Sequence, residues 1–301
     1  MILSDLTPEN YRKLMADSEI CLKIGSYNVG FSSKIAQVMD NFFLLYQFFE
    51  LTPSHSFIDF HVSVNKPRGI RSIIRPQCEF RFDSRAPFRP LPLSQAMPSL
   101  EWGLNWVFAN FCHTHLILHA AVLEKDGTAV ILPGNPGSGK STLCAALAME
   151  GWNLLSDELT IIHMANNHLC YLGRPVNLKN DSIKLIKKHY PTATFSDTFI
   201  DTNKGDVALL QPPERNIRNF GDTPKPTHII FPKYRAGSAL EYTVKPGAET
   251  LIELARNSFN HSVIGKPAFD YLAGMVTSTK NTSLTYGNLE DSLNGIKKAI
   301  E

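Results

Sequence analysis

The run Gly134-Asn135-Pro136-Gly137-Ser138-Gly139-Lys140-Ser141 satisfies the pattern G-x-x-x-x-G-K-[ST] at every specified position, and nothing else in the chain constrains its fold as tightly. Such a loop functions between a strand and a helix. Residues 128–133 in front read as a buried apolar strand, and residues 142–150 behind read as a helix closed by Gly151. Glycines at 134, 137 and 139 let consecutive backbone N–H groups turn toward a phosphate with no Cβ in the way, at the positive end of the following helix. Asn135, Pro136 and Ser138 complete the turn. Lys140 is spaced to bridge β- and γ-phosphates, and Ser141, followed by Thr142, offers a hydroxyl to magnesium. The expected ligands are a nucleoside triphosphate, taken as ATP, and Mg2+.

Bulk properties narrow the partners. The 301 residues are 43% apolar, enough for one large domain or two modest ones. Lys and Arg number 30 against 28 Asp and Glu, so no global field favours nucleic acid or an anionic membrane. The basic stretch Lys66, Arg68, Arg71 and Arg75 lacks the interleaved aromatics of a nucleic-acid surface and reads as a solvated loop or a docking patch for an acidic partner. Five scattered cysteines and no C-x-x-C pair fit a reducing cytoplasm. The apolar stretch 42–49 is too short to span a bilayer.

The chain divides at a Pro-rich stretch. Residues 1–92 read as an α+β module: a hairpin over 21–31, an apolar helix over 35–49, an alternating strand through Ile58, Phe60, Val62 and Val64, and a strand around Phe80. The linker is 86–92. Residues 93–301 read as an α/β domain: a helix over 93–111, a strand over 116–123, the phosphate loop and its helix, a strand over 152–162, another over 227–232, and helices over 248–258 and 267–276.

Asp157-Glu158 stands inside the strand expected over 152–162, where two buried acids are costly without partners. Beside a phosphate loop, Asp157 can hold Mg2+ with Ser141, and one of the two acids can take the proton of an attacking hydroxyl. An acidic turn at a strand end is the plainer alternative. His113, His115 and His119 share strand parity, and His119 alone is expected near the phosphates. Arg174 can meet a phosphate or a structural acid. Lys204 sits in a polar segment that either reaches the γ-phosphate or is a solvated loop.

Together these segments resemble a known family. Leu118-His119-Ala120-Ala121-Val122-Leu123, the phosphate loop, and the run from Gly151 to Asp157-Glu158 are similar to the bacterial HPr serine kinase. More specifically, the whole chain resembles the HPr-kinase-related kinase A family, through Leu3-Ser4-Asp5-Leu6, Glu101-Trp102-Gly103-Leu104-Asn105-Trp106, Arg174-Pro175-Val176-Asn177-Leu178-Lys179-Asn180, Asp201-Thr202-Asn203-Lys204-Gly205 and Gln211-Pro212-Pro213. The resemblance implies a P-loop kinase domain of the HPr kinase/phosphoenolpyruvate carboxykinase-like type behind the N-terminal recognition module. It implies Asp157 as base, Glu158 as second acid and His119 beside the phosphates. Leu172 replaces the acid that precedes the arginine in HPr kinase, and the glycines after that arginine are absent, so the acceptor surface has diverged from one built for HPr. A PqqD-like peptide-binding protein is the partner the resemblance implies, a peptide or small protein the substrate, and a homo-oligomer remains open because HPr kinase is hexameric. The expected activity is phosphoryl transfer from ATP to a hydroxyl, with serine the favoured acceptor. A small-molecule phosphotransferase or a nucleotide-gated binding module are the alternatives.

Overall fold

A computed structural model describes residues 1–69, 72, 74–218 and 224–301; Arg71 of the basic stretch lies outside them. The chain is a mixed α/β protein with several sheets. Helix α1 (Pro8–Asp17) starts at Thr7, whose hydroxyl accepts the Asn10 N–H at 3.3 Å, with proline in the first turn where its missing N–H costs nothing. Then follow β1 (Ile20–Ile24), β2 (Tyr27–Ser32), α2 (Ala36–Tyr46), β3 (Phe60–Asn65), β4 (Gln77–Phe82) and β5 (Leu91–Pro92). These five strands form one sheet in the order β1-β2-β3-β4-β5. Helix α3 (Ala96–Phe111) packs on β3 and β4, close enough that a Cβ on Gly103 would enter the Phe80 ring. One continuous core joins that sheet, α2 and α3 to Ile117, Leu159, Ile161 and Leu209 further along the chain.

Beyond α3 come β6 (Leu116–Leu118), β7 (Ala120–Lys125), β8 (Thr128–Pro133), α4 (Lys140–Met149), β9 (Asn153–Ser156), β10 (Thr160–His163) and β11 (His168–Cys170). Next are β12 (Val176–Lys179), α5 (Asp181–His189), β13 (Phe199–Thr202), β14 (Gly205–Leu210) and α6 (Arg215–Arg218). The chain ends with β15 (His228–Tyr234), β16 (Glu241–Val244), α7 (Gly247–Arg256), α8 (His261–Ile264), α9 (Lys266–Ser278), β17 (Lys280–Tyr286) and α10 (Leu289–Ile300). A six-stranded sheet runs β16-β17-β15-β8-β7-β9, with β15 parallel to both β8 and β17 and β7 antiparallel to its neighbours. Asp126 and Gly127, at φ 50° and 80°, make the tight β7–β8 turn. One apolar cluster packs α4, α5 and α10 with Val130, Leu132 and Leu284, and another packs α7 and α9 with Ile131 and Ile229. The strand feeding the glycine-rich loop 134–139 is therefore central and covered.

Two strands depart from the sequence reading in the same way. The expected strand over 116–123 breaks at His119, whose N–H leaves the ladder to donate to the Asn257 carbonyl at 2.6 Å. The expected strand over 152–162 breaks at Asp157, Glu158 and Leu159. In both, the first and second halves belong to different sheets: β7 and β9 pair in the six-stranded sheet, whereas β6 and β10 pair in the sheet β11-β10-β6. The two acids thus sit at a seam between sheets rather than within a strand.

Cys78, Cys112, Cys144 and Cys170 are buried and Cys21 half-buried, all as free thiols. Burial pushes Cys21, Cys78, Cys112 and Cys170 up to about 11 and Cys144 well above the ordinary thiol value. Among the described residues no helix is long and apolar enough to cross a membrane.

Candidate functional site

Loop 134–139 joins β8 to α4. Gly137 and Gly139 take φ of 85° and 87°, which an L side chain adopts only under strain. A Cβ on Gly139 would also press on the Tyr286 hydroxyl and on Tyr234, whereas one on Gly137 would meet nothing within 4 Å, so the loop is tight on its protein side and open on the other. The Ser138 carbonyl is tied to the Tyr234 N–H at 3.0 Å, and Leu143 N–H donates to the Gly139 carbonyl at 3.0 Å. At the far end of α4, Trp152 N–H returns to the Leu147 carbonyl at 3.0 Å while Gly151 adopts φ 93°, closing the helix as the sequence indicates.

Lys140 opens α4 and is buried, only 7% exposed, with no hydrogen-bond partner for its Nζ. Burial pushes its ammonium below the ordinary lysine value, against the pull of Asp157 and Glu158. Asp157 is 5% exposed; its Oδ2 accepts the Asn177 N–H at 3.0 Å, and its Oδ1 is buried without a partner. Burial raises the Asp157 carboxyl, while Lys140 opposes that rise. Unpaired buried groups of this kind are costly in a folded protein, and here two of opposite charge line the same cavity.

Glu158 differs from its neighbour. Its Oε2 accepts from the Asn105 amide at 2.6 Å, and its Oε1 lies 4.0 Å from His119 Nε2. Burial alone would raise its carboxyl, but Lys204, Lys179 and Lys140 outweigh that and hold it below the ordinary value. Burial, reinforced by Lys140, pushes His119 down to about 4, so its imidazole is neutral at neutral pH. Lys204, at the β13–β14 turn, stands with its Nζ 4.8 Å from the centroid of the Trp102 ring.

All of these groups except Asn105 and Trp102 line one cavity of about 1190 Å³, which runs from the glycine-rich loop over Lys179, along α5 and past Tyr286 to the start of α10. His119, Lys140, Ser141, Asp157, Glu158 and Lys204 are thereby brought together, along with Asn135, Pro136, Gly137, Gly139 and Thr142. Gly134 and Ser138 stand behind that surface: a Cβ on Gly134 would strike the Ser138 hydroxyl.

Arg174 is where the phosphate reading gives way. Its guanidinium is buried against Glu101 at 2.5 Å and Asn105 at 2.5 Å, away from the large cavity, so the structure pairs it with the structural acid. His113 is absent from the cavity lining, and His115 is held by the Tyr27 hydroxyl at 3.2 Å. Residues that motif reasoning passed over are Asn105, Asn177, Lys179 and Trp102. Each lies in a segment already notable in sequence, 101–106 or 174–180, but an asparagine or lysine without a motif carries no sign of which partner it meets.

No family model matches this chain, and no curated protein matches its sequence. Among solved structures it is similar to the HPr(Ser) kinase/phosphatase from Coxiella burnetii, with a TM-score of 0.28 and 13% identity, covering 61% of this chain and 93% of that one. That likeness is distant.

Proposed function

We propose that this chain is an ATP-dependent kinase that moves the γ-phosphoryl group to a hydroxyl, with serine on a peptide or small protein as the expected acceptor. The observation that carries the reading is the meeting of an unpartnered Lys140 ammonium, an unpartnered Asp157 oxygen and a second carboxylate, Glu158, in one cavity. A triphosphate with magnesium fits that set. Backbone N–H groups and Lys140 answer phosphate charge, and the Asp157 oxygen with the Ser141 hydroxyl makes a hard-oxygen pair suited to the metal. Bound magnesium would neutralise charge on the phosphates during transfer.

The two acids divide the remaining work. Asp157, buried beside Lys140 and fixed by the Asn177 amide, suits the metal side. Glu158, ionised and turned toward His119, suits the acceptor side, where it would take the hydroxyl proton as the oxygen bonds to phosphorus and ADP departs. This shifts the base from Asp157, which the family resemblance favours, to its neighbour. Neutral His119 supports the acceptor without adding charge. At about 1190 Å³ the cavity exceeds the roughly 300–1,000 Å³ of a single small-ligand site, which leaves room for an acceptor side chain beside the nucleotide. A peptide delivered by a PqqD-like protein belongs to the same reading.

The test is transfer of radiolabelled γ-phosphate from ATP to serine peptides by the full chain, with Lys140→Ala beside it. Wild-type labelling that depends on magnesium and vanishes in the variant is the expected result. ATP binding without transfer to any acceptor, water included, would leave a nucleotide-gated binding module instead.

A further inference from the structure

Asn105 belongs to α3, an element whose other side faces the N-terminal sheet, yet its amide touches the candidate acid. The orientation of that amide is fixed by chemistry. Arginine has donors only, so the oxygen of Asn105 must face Arg174, at 2.5 Å, and its NH2 must face Glu158, at 2.6 Å. Arg174 is in turn immobilised by the Glu101 carboxylate at 2.5 Å and the Glu101 carbonyl at 3.2 Å. The second Glu101 oxygen accepts from the Tyr46 hydroxyl at 2.6 Å, deep in the N-terminal core. Tyr46, Glu101 and Arg174 are all buried, so the inner end of this chain of contacts is shielded from solvent, while a small pocket of about 20 Å³ lies where it meets Asn105 and Glu158. Neighbouring Trp102 supports Lys204 on the same wall, and the Gln95 amide holds the Asp201 carbonyl of the Lys204 turn at 3.1 Å.

We propose that Asn105 is a positioning residue for phosphoryl transfer: by pinning Oε2 of Glu158 it leaves Oε1 as the oxygen on the His119 side, where an acceptor hydroxyl would be met. Helix α3, packed against the N-terminal sheet, then forms one wall of the site, and the N-terminal module braces that wall in addition to any partner it binds. This rests on Glu158 being the proton acceptor.

The discriminating variant is Asn105→Asp in the full chain. It keeps size, shape and a partner for Arg174, but replaces the donor facing Glu158 with an acceptor. ATP turnover with water or a serine peptide as acceptor should fall about 10–100-fold in kcat, the usual loss for a group that orients another, with KM for ATP within twofold of wild type. Asn105→Ala should fall similarly. Wild-type kcat in Asn105→Asp overturns the proposal, and so does a loss that appears wholly in KM. Glu158→Gln separates the two levels: if that variant turns over normally, the reading of Glu158 fails, whereas its inactivity beside a fully active Asn105→Asp sinks the positioning role alone. Should the Asn105 variants not fold, the side-chain amide resonance of Asn105 in selectively 15N-labelled protein supplies the answer. It should move in Glu158→Gln, and an unmoved signal overturns the contact.

Discussion

Adjacent acids with opposite surroundings are the sharpest feature at the scale of single residues. Asp157→Asn should weaken the magnesium dependence of ATP binding, while Glu158→Gln should leave ATP affinity unchanged and cut transfer by about 10²–10⁴-fold, the range of general acid–base catalysis. Isothermal titration with and without magnesium, set beside single-turnover rates, separates them; the reverse pattern would return the base to Asp157. Lys140→Ala removes the one side-chain cation of the loop and should weaken ATP binding at least 10–100-fold, about the 1.5–3 kcal/mol of a charge-assisted hydrogen bond. His119 yields a pH prediction. Its folded value, pushed down to about 4, lies below the ordinary histidine value, so the imidazole stays neutral from pH 8 down past pH 6. The profile of kcat/KM, which reports the free enzyme, should therefore show no limb near pH 6.5 belonging to this group. A limb there that disappears in His119→Asn would contradict the burial argument. That these residues share one cavity is legible from a contiguous glycine-rich pattern and a nearby acid pair, whereas the contacts of Asp157 with Asn177 and of Glu158 with Asn105 span 20 and 53 residues.

Elements are where sequence periodicity both succeeded and failed. The β1–β2 hairpin, α2, α3, β8 and α4 carry local apolar patterns that the tertiary structure uses unchanged. The strands at His119 and Asp157–Glu158 read as single strands because apolar residues flank the polar ones on both sides, and alternation along one chain cannot report that the partner strand changes sheet. That change of sheet is what turns both segments toward the cavity. Small sheets such as β12-β14-β13 also escaped notice, being short strands held by long-range pairing. Helix α3 offers a direct test of how closely elements fit. Gly103→Val would force a side chain into the Phe80 ring and should cost about 1–3 kcal/mol, the usual penalty for overpacking, read as a lowered denaturation midpoint at unchanged m-value. An unchanged midpoint would mean that α3 and β4 can part freely.

At the scale of the whole molecule, the buried Tyr46–Glu101 hydrogen bond and the core shared by α3 and the N-terminal sheet bind the two halves of the chain to each other. A fragment of residues 93–301 would expose the sheet-facing side of α3 and leave Glu101 without its Tyr46 contact. It should fail to give the near-ultraviolet circular dichroism of a packed protein, even though the glycine-rich loop 134–139 is complete within it. A well-folded fragment with native ATP affinity would show that the division at the Pro-rich stretch is energetic as well as textual. The free thiols give a way to watch this. Cys78 and Cys112 lie in the core beneath the N-terminal sheet, Cys144 lies one turn beyond Lys140 in α4, and each is shielded and kept protonated by its surroundings. Alkylating reagents attack the thiolate, so the folded chain should label slowly at neutral pH and each cysteine should become reactive only when its own neighbourhood opens. The order in which the adducts form under mild denaturant would then record, position by position, which half of the molecule lets go first.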